Sequence, residues 1–457
     1  VAVSVNWSSW EDHRVLFVNG TESGNWHDSR MSLMFRQLYP NARQIAFIRS
    51  IHIHTKPGWG NKHSNNFGKI WAKQHSKLVT YGDNDVVVFM DDNEGISQDF
   101  LPTADRIIPH LGDSTTRFVY LAGCFVSERS CNTLKRLKPN PRMDVYFLNS
   151  WESACSENIH ITAHIQKDQP KTKTFLTFNR HYRDPRVMFV GLLKHHGLMK
   201  KGFVSVGATF QKDETEMSWE TYWPNQIAKY PEYYSQWDEG IMTQIKKGWE
   251  KYPTERNRLY FQDDDEWWDG AESYAEMRQD HPDVHLYESS HLFVVTETGF
   301  QTGEKLTDCV SEDTHFLTEK TYRQIGLRMP IIVVGRPGIM AQLQKAGYQS
   351  YHPHIDETYD TLENDGERMM AIINELKRLS EFTDEQWEEW HKEVDKIADF
   401  NYNVLESKEL VITQVMEAGN PDILVDGRIV SHSEYKRRRE KLIQEEEERA
   451  INERTMD

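Results

Sequence analysis

Apolar and polar positions alternate along the chain in a rhythm of short β-branched runs and longer amphipathic stretches. RVLFVNG (14–20), RQIAFIRSIHI (43–53), DVVVFMDD (85–92), RFVYLAG (117–123) and MDVYFLNSW (143–151) read as buried strands spaced by helix-length intervals. Continuous apolar runs of this length fit strands covered on both faces, and their spacing predicts a parallel sheet with helices packed against it. Functional side chains in such a sheet belong at the carboxyl ends of the strands. The rhythm resumes near residue 171 with KTFLTFNR (173–180), a helical VMFVGLLKHHGLM (187–199) and FVSVG (203–207). It returns with HLFVVTET (291–298), FLTEKTYRQIGLRM (316–329) and PIIVVG (330–335).

Between these blocks, 211–287 is crowded with Trp, Tyr and acidic residues and reads as a mostly helical insert. Its rings are expected to pack more than to bind, although Trp faces do stack on sugars and bases. Thr383 and Gln386 have capping-box spacing before a helix bearing Trp387, Trp390, Val394 and Ile397. From Glu434 the chain is a charged helix of basic and then acidic blocks, read as a solvated face or tail. The expected fold class is α/β, with two Rossmann-like domains. The boundaries drawn are 1–165 for an N-terminal domain, 171–380 for a C-terminal domain carrying the insert, and 383–457 for C-terminal helices and tail.

Length and charge narrow the classes. At 457 residues the chain is long enough for two to three domains with real cores. The net charge of −17 disfavours a nucleic-acid binder that works through a broad basic face, while leaving room for a local basic cleft. Cys124, Cys131, Cys155 and Cys309 show no paired spacing, so buried reduced thiols are expected rather than disulfides or structural zinc. No apolar run approaches the roughly 18 residues of a membrane helix, and VAVSVNWSSWEDHR lacks the pattern of a signal peptide. A soluble protein of the cytoplasm is expected, with no membrane partner.

Candidate chemistry concentrates in two strings. In FLTEKTYRQIGLRMPIIVVGRPG, Thr318, Glu319 and Lys320 open a helix. A helix start offers free N–H groups and a positive dipole end, which with Lys320 suits a diphosphate. Glu319 would accept hydrogen bonds from a ribose diol. The plain alternative is a capped helix with a surface Glu and Lys. In DVVVFMDDNEG a buried strand delivers Asp91, Asp92 and Glu94 to its carboxyl end. One reading makes Glu94, or else Asp92, a general base near an acceptor hydroxyl. The rival reading makes Asp91 and Asp92 ligands of a divalent metal bridging donor phosphates. A solvated turn is the third. His52, His54 and His63 lie around a glycine-rich loop (51–71) read as substrate-lining rather than zinc-binding. His352 and His354 beside Asp356 are equally open.

The order Phe316, Thr318, Glu319, Lys320, then Pro330 and Gly335, resembles the donor-site motif of inverting GT-B glycosyltransferases of the α1,3-fucosyltransferase kind. HLFVVTET matches the strand that precedes that motif, and FLTFNRHYRDPRVMFVGLLKHHGL resembles the family's earlier strand–Asn–Arg–helix segment. The N-R-x-x-R turn and the block AGYQSYHPHIDETYD (346–360) look closer still to a group of uncharacterised phage and large-virus proteins. The likeness spans about 171–210 and 288–365. It implies a nucleotide-sugar cosubstrate, no tightly bound cofactor, and an N-terminal acceptor domain with a C-terminal donor domain. Glu319 would hold the donor ribose and Lys320 its phosphates, with Thr318 completing the pocket. Arg180 and Arg183 would reach phosphate oxygens from their turn; Arg186 would either join them or face inward on its helix, and Glu297 would either line the same cleft or stand as an ordinary surface residue after its strand. The acceptor would be a glycan or, given the viral likeness, a hydroxymethylated pyrimidine in phage DNA. Two alternatives stand beside this expectation: a metal-dependent GT-A-like transferase using Asp91 and Asp92, and a non-catalytic virion or scaffold protein on a degenerate transferase fold.

Overall fold

The computed structural model describes 5–10, 13–18, most of 39–49, 81–206 and 227–251, then 284–300, 314–408 and most of 422–431. The chain divides into two compact units. One comprises Val1–Leu148 with Leu410–Asp457, and the other is Asn149–Glu409.

The first unit holds a six-stranded sheet. Its strands are β1 (Val5–Trp10), β2 (His13–Val18), β3 (Gln44–Arg49), β4 (Asp85–Asp91), β5 (Arg117–Ala122) and β6 (Met143–Phe147). They lie side by side in chain order. β2 to β6 are mutually parallel, and β1 pairs antiparallel with β2 at the edge. The five apolar runs read as strands therefore are strands. VNWSSW, whose Ser and Asn interrupt the apolar signal, is an additional one. Val87, Val88 and Phe89 of β4 and Phe118, Val119 and Tyr120 of β5 are wholly buried, so both faces of these strands are covered. Helices α1 (Phe100–Leu111) and α2 (Glu128–Leu137) follow β4 and β5. Sequential order means that no reversal opens a crevice among the described strands of this sheet.

The second unit begins with α3 (Ser150–Glu157) and continues through β7 (Lys173–Asn179), α4 (Asp184–His195) and β8 (Gly202–Val206). The described parts of the insert are helical: α5 (Pro231–Tyr234), α6 (Glu239–Lys251) and the start of α7 (Val284–Glu288). Then come β9 (Ser290–Thr296), α8 (Glu319–Gly326), β10 (Ile331–Val334), α9 (Ile339–Lys345), α10 (Asp365–Ser380) and α11 (Asp384–Glu406). The four strands are parallel in the order β10-β9-β7-β8. The chain steps one way from β7 to β8 and the other way from β7 to β9. A reversal of this kind opens a crevice at the carboxyl ends of the two central strands. Both sheets are compatible with Rossmann-like domains.

Insert helix α6 lies against α4 where two glycines meet. A Cβ on Gly248 would stand 1.9 Å from the Gly191 carbonyl oxygen. Trp249 is buried there, its indole N–H donating to the Val187 carbonyl at 3.0 Å, with the Lys194 ammonium 3.7 Å from its ring centre. The described aromatic residues of the insert are thus packing residues, as expected.

The sequence placed the domain boundary near 165–171 and set the helices from 383 apart. The compact units divide at 148/149 and 409/410 instead. The reason is local: α3 packs on α8, and α11 packs on both. The Ser156 hydroxyl donates to the Lys408 carbonyl at 2.9 Å. Beyond 410, a hairpin of β11 (Asp422–Val425) and β12 (Arg428–Ser431) belongs to the first unit, where β11 lies beside β6. The charged stretch from Glu434 lies outside the described residues. Among the described residues no helix is long and apolar enough to cross a membrane.

The capping box at α11 is present as read. Thr383 Oγ1 accepts from the Gln386 N–H at 3.3 Å, and Gln386 Oε1 accepts from the Thr383 N–H at 2.9 Å. Thr383→Ala is expected to cost about 1 kcal/mol, the usual worth of such a cap. The midpoint of urea unfolding of the second unit is the check.

Candidate functional site

The carboxyl edge of the second unit's sheet carries a continuous polar layer. Asn179 ends β7, and its side-chain carbonyl accepts from the Thr296 hydroxyl at the end of β9, 3.0 Å away. Its backbone N–H and side-chain amide reach Ser205 of β8. Arg186, in the first turn of α4, is buried and donates from Nη2 to the Thr296 carbonyl at 3.2 Å. The ends of the central strands are therefore locked together by buried hydrogen bonds.

One residue past β9 stands Glu297, 1% exposed. Its backbone N–H donates to the Val334 carbonyl at the end of β10. Its carboxylate turns toward the start of α8. Oε1 accepts from the Thr318 N–H at 3.0 Å and the Thr321 hydroxyl at 2.6 Å, and Oε2 accepts from the Thr318 hydroxyl at 2.8 Å. A buried carboxylate at a helix N-terminus satisfies orphan N–H groups and complements the dipole. Thr318 caps the helix in turn, its Oγ1 accepting from the Lys320 N–H at 3.2 Å and the Lys320 ammonium at 3.1 Å.

The Lys320 ammonium also lies 2.8 Å from Glu319 Oε1. The two partners differ in exposure. The Lys320 side chain is 32% exposed and that of Glu319 only 8%. Burial alone would push the Glu319 carboxyl up, but the Lys320 ammonium and Arg323 outweigh it and hold it below the usual glutamate value. For Glu297 burial wins. Its carboxyl is raised, against the pull of Lys320 and of its Thr321 and Thr318 donors. The result is a cation accessible from outside, backed by two buried carboxylates, on a helix start fixed to the sheet.

The neighbouring helix start is closed. Asp360 is buried, and its carboxylate accepts from the Met340 and Ala341 N–H groups of α9 at 3.0 and 3.1 Å. Behind it, Arg368 of α10 is wholly buried and donates to the Gly335, Leu362 and Phe300 carbonyls and to Asp365.

Of the residues singled out from sequence, Thr318, Glu319, Lys320 and Glu297 come together here. Glu297 faces the start of α8, which is a supporting position. Arg186 faces inward and braces β9. Arg180, Arg183, Asp92 and Glu94 lie outside the described residues, as do His52, His54 and His63. Asp91 ends β4, and its side chain is not among those described. Among the described residues no group of three or more His, Cys, Asp or Glu is placed to hold a metal ion. His352, His354 and Asp356 form a turn. Asp356 caps a 3-10 segment (Glu357–Thr361) through the Thr358 N–H, and the His354 carbonyl accepts from Arg378 and Trp390. Cys124, Cys131 and Cys155 are buried.

Sequence reasoning missed Asn179, Asp360 and Arg368. Asn179 opens the string NRHYR at the end of a strand, so attention to strand ends would have found it, whereas Asp360 lies in the 3-10 segment of IDETYD and has no such signal. The chain matches no protein-family model, no curated protein and no solved structure.

Proposed function

We propose that this chain is a nucleotide-sugar-dependent glycosyltransferase of the GT-B type, with its donor held at the carboxyl edge of the second unit's sheet. The observation that carries the proposal is the accessible Lys320 on a buried Glu319, fixed by Glu297 beside the strand reversal at β7 and β9. Lys320 would carry the donor diphosphate, and Glu319 would accept from ribose hydroxyls. The N–H groups nearest the start of α8 already have internal acceptors, so charge from Lys320, with Arg180 and Arg183, would stabilise the leaving diphosphate. A carboxylate after β4, Glu94 or Asp92, would take the proton of the acceptor hydroxyl as inversion proceeds. The acceptor is a glycan or a hydroxymethylated pyrimidine in DNA.

The test is thermal shift of the full chain against UDP, GDP, ADP, CDP, dTDP and their sugars, with and without Mg²⁺. A ligand at a hundred times its Kd adds about 2.7 kcal/mol of stability. Lys320→Ala is expected to weaken binding by ~10–100-fold, since a hydrogen bond to a charged group is worth roughly 1.5–3 kcal/mol. Glu319→Gln should lower affinity for the same nucleotides. Unchanged affinity in both variants would sink the donor-site assignment.

A further inference from the structure

Glu297 and Glu319 place two carboxylates at the start of α8, 1% and 6% exposed. One ammonium, that of Lys320, serves both. It pairs directly with Glu319 at 2.8 Å and reaches Glu297 through the Thr318 hydroxyl at 3.1 Å. Among the described residues, the remaining ionisable groups facing this cluster are Arg323 on the Glu319 side and the Tyr322 hydroxyl on the Glu297 side, with Cys155 and Glu152 of α3 beyond them. The site is balanced while Lys320 looks inward. A diphosphate bound to Lys320 draws that charge outward and brings two more negative charges to within a few ångströms of two buried carboxylates. Like charges so close disfavour ionisation of at least one.

Resting on the donor-site reading above, we propose that binding of a nucleotide sugar at Lys320 is coupled to uptake of one proton from solvent by Glu297, which turns the Thr318 hydroxyl toward the ligand.

The hydrogen-bond directions support this. Thr318 has one hydroxyl proton, now given to Glu297 Oε2, while its oxygen accepts from the Lys320 N–H and ammonium. When the ammonium leaves for a phosphate, one acceptor position on Thr318 falls vacant. A proton on Glu297 Oε2 fills it by donating to Thr318 Oγ1. The Thr318 proton is then released to point at a phosphate oxygen. Glu297 Oε1 goes on accepting from the Thr318 N–H and the Thr321 hydroxyl. The balance closes: one proton enters from solvent, and a nucleotide sugar, being a diphosphate diester, has none to release near neutral pH. Glu297 is the acceptor rather than Glu319 because burial already lifts its carboxyl, whereas Arg323 stays on the Glu319 side when Lys320 turns outward. Glu297 is thus a positioning residue that acts through Thr318.

The test is titration calorimetry on the full chain with whichever nucleotide sugar binds in the panel above, in buffers of different ionisation enthalpy and across pH. Binding enthalpy should vary with the buffer in the sense of proton uptake. The protonated carboxyl is favoured in the complex. Affinity should therefore be highest at low pH, and Kd should rise by up to about tenfold per pH unit between the free and bound pKa values of Glu297. Glu297→Gln, whose amide donates to Thr318 as the protonated acid would, should bind without uptake and without this pH dependence. Glu319→Gln should retain uptake. Should Glu297→Gln fail to fold, the wild type and Glu319→Gln still decide. Binding with no buffer dependence, or uptake that survives Glu297→Gln or vanishes in Glu319→Gln, overturns the coupling and leaves the donor site standing. A panel in which no nucleotide or nucleotide sugar binds removes both.

Discussion

Replacing Arg368 by alanine is expected to lower the stability of the Asn149–Glu409 unit by about 3–5 kcal/mol, the usual cost of removing one partner from a buried ion pair. Arg368 has no exposed surface. Its guanidinium spans the end of β10, the segment after β9 and the start of α10. Nε donates to the Gly335 carbonyl at 3.1 Å, Nη1 to Leu362 at 2.7 Å, and Nη2 to Phe300 and to the Asp365 carboxylate. The Phe300 ring lies 4.3 Å from the guanidinium carbon. Alanine would strand these carbonyls and take from the Asp365 carboxylate, 5% exposed, the guanidinium that pairs with it, although the Tyr233 hydroxyl still donates to it at 2.8 Å. Lysine cannot rescue the loss, because one ammonium does not reproduce a planar fork that reaches three separate segments. Urea unfolding of the full chain, followed by the transition of this unit, measures the effect. A loss under about 1 kcal/mol would show that the cavity rehydrates or collapses without cost.

The second large effect is expected at Gly248. Alanine is ordinarily the better helix former by about 1 kcal/mol. Here its methyl would lie 1.9 Å from the Gly191 carbonyl oxygen and 3.0 Å from the His195 backbone nitrogen. Both obstacles are backbone, so α6 must move away from α4. That movement would loosen the buried Trp249 and its hydrogen bond to the Val187 carbonyl. Overpacking of this sort costs roughly 1–3 kcal/mol and more where backbone must shift. A net loss of about 2 kcal/mol is expected after the gain in helix propensity. Because α4 also carries Arg186, the brace on β9, affinity for any nucleotide that binds the proposed donor site should fall with stability. A Gly248→Ala protein as stable as wild type would mean that the two helices separate freely.

The fold class was legible because both sheets announce themselves through β-branched runs such as VVVF (86–89) and FVVT (293–296), where burial on two faces leaves no room for polar alternation. The TEK cluster was legible because Thr, Glu and Lys at a helix start have a local meaning. What escaped was long-range. Glu297 reads as an ordinary residue after a strand, yet its partners stand 21 and 24 residues on, and only the fold joins them. Strand order has no local signature, so the difference between the sequential first sheet and the reversing second sheet could not be read. Arg186 was open between phosphate and interior, since a helix face is decided by its neighbours. The β11–β12 hairpin was missed although DILV and RIVS flank Asp-Gly, a strong turn pair, because the charged run after it drew the segment into a helical tail.

The Asn149–Glu409 unit is one unbroken stretch, and its two ends are tied together. Ser156 near one end donates to the Lys408 carbonyl near the other, and the Lys408 ammonium lies 3.5 Å from Glu152. The other unit is split around it. On the ribosome the middle of the chain can therefore close its sheet while the first unit still waits for the hairpin that lies beside β6. Domains fold as units as they emerge, at roughly 5–20 residues per second. Strand β1, synthesised before every strand of the Asn149–Glu409 unit, thus belongs to a unit that is completed after that one.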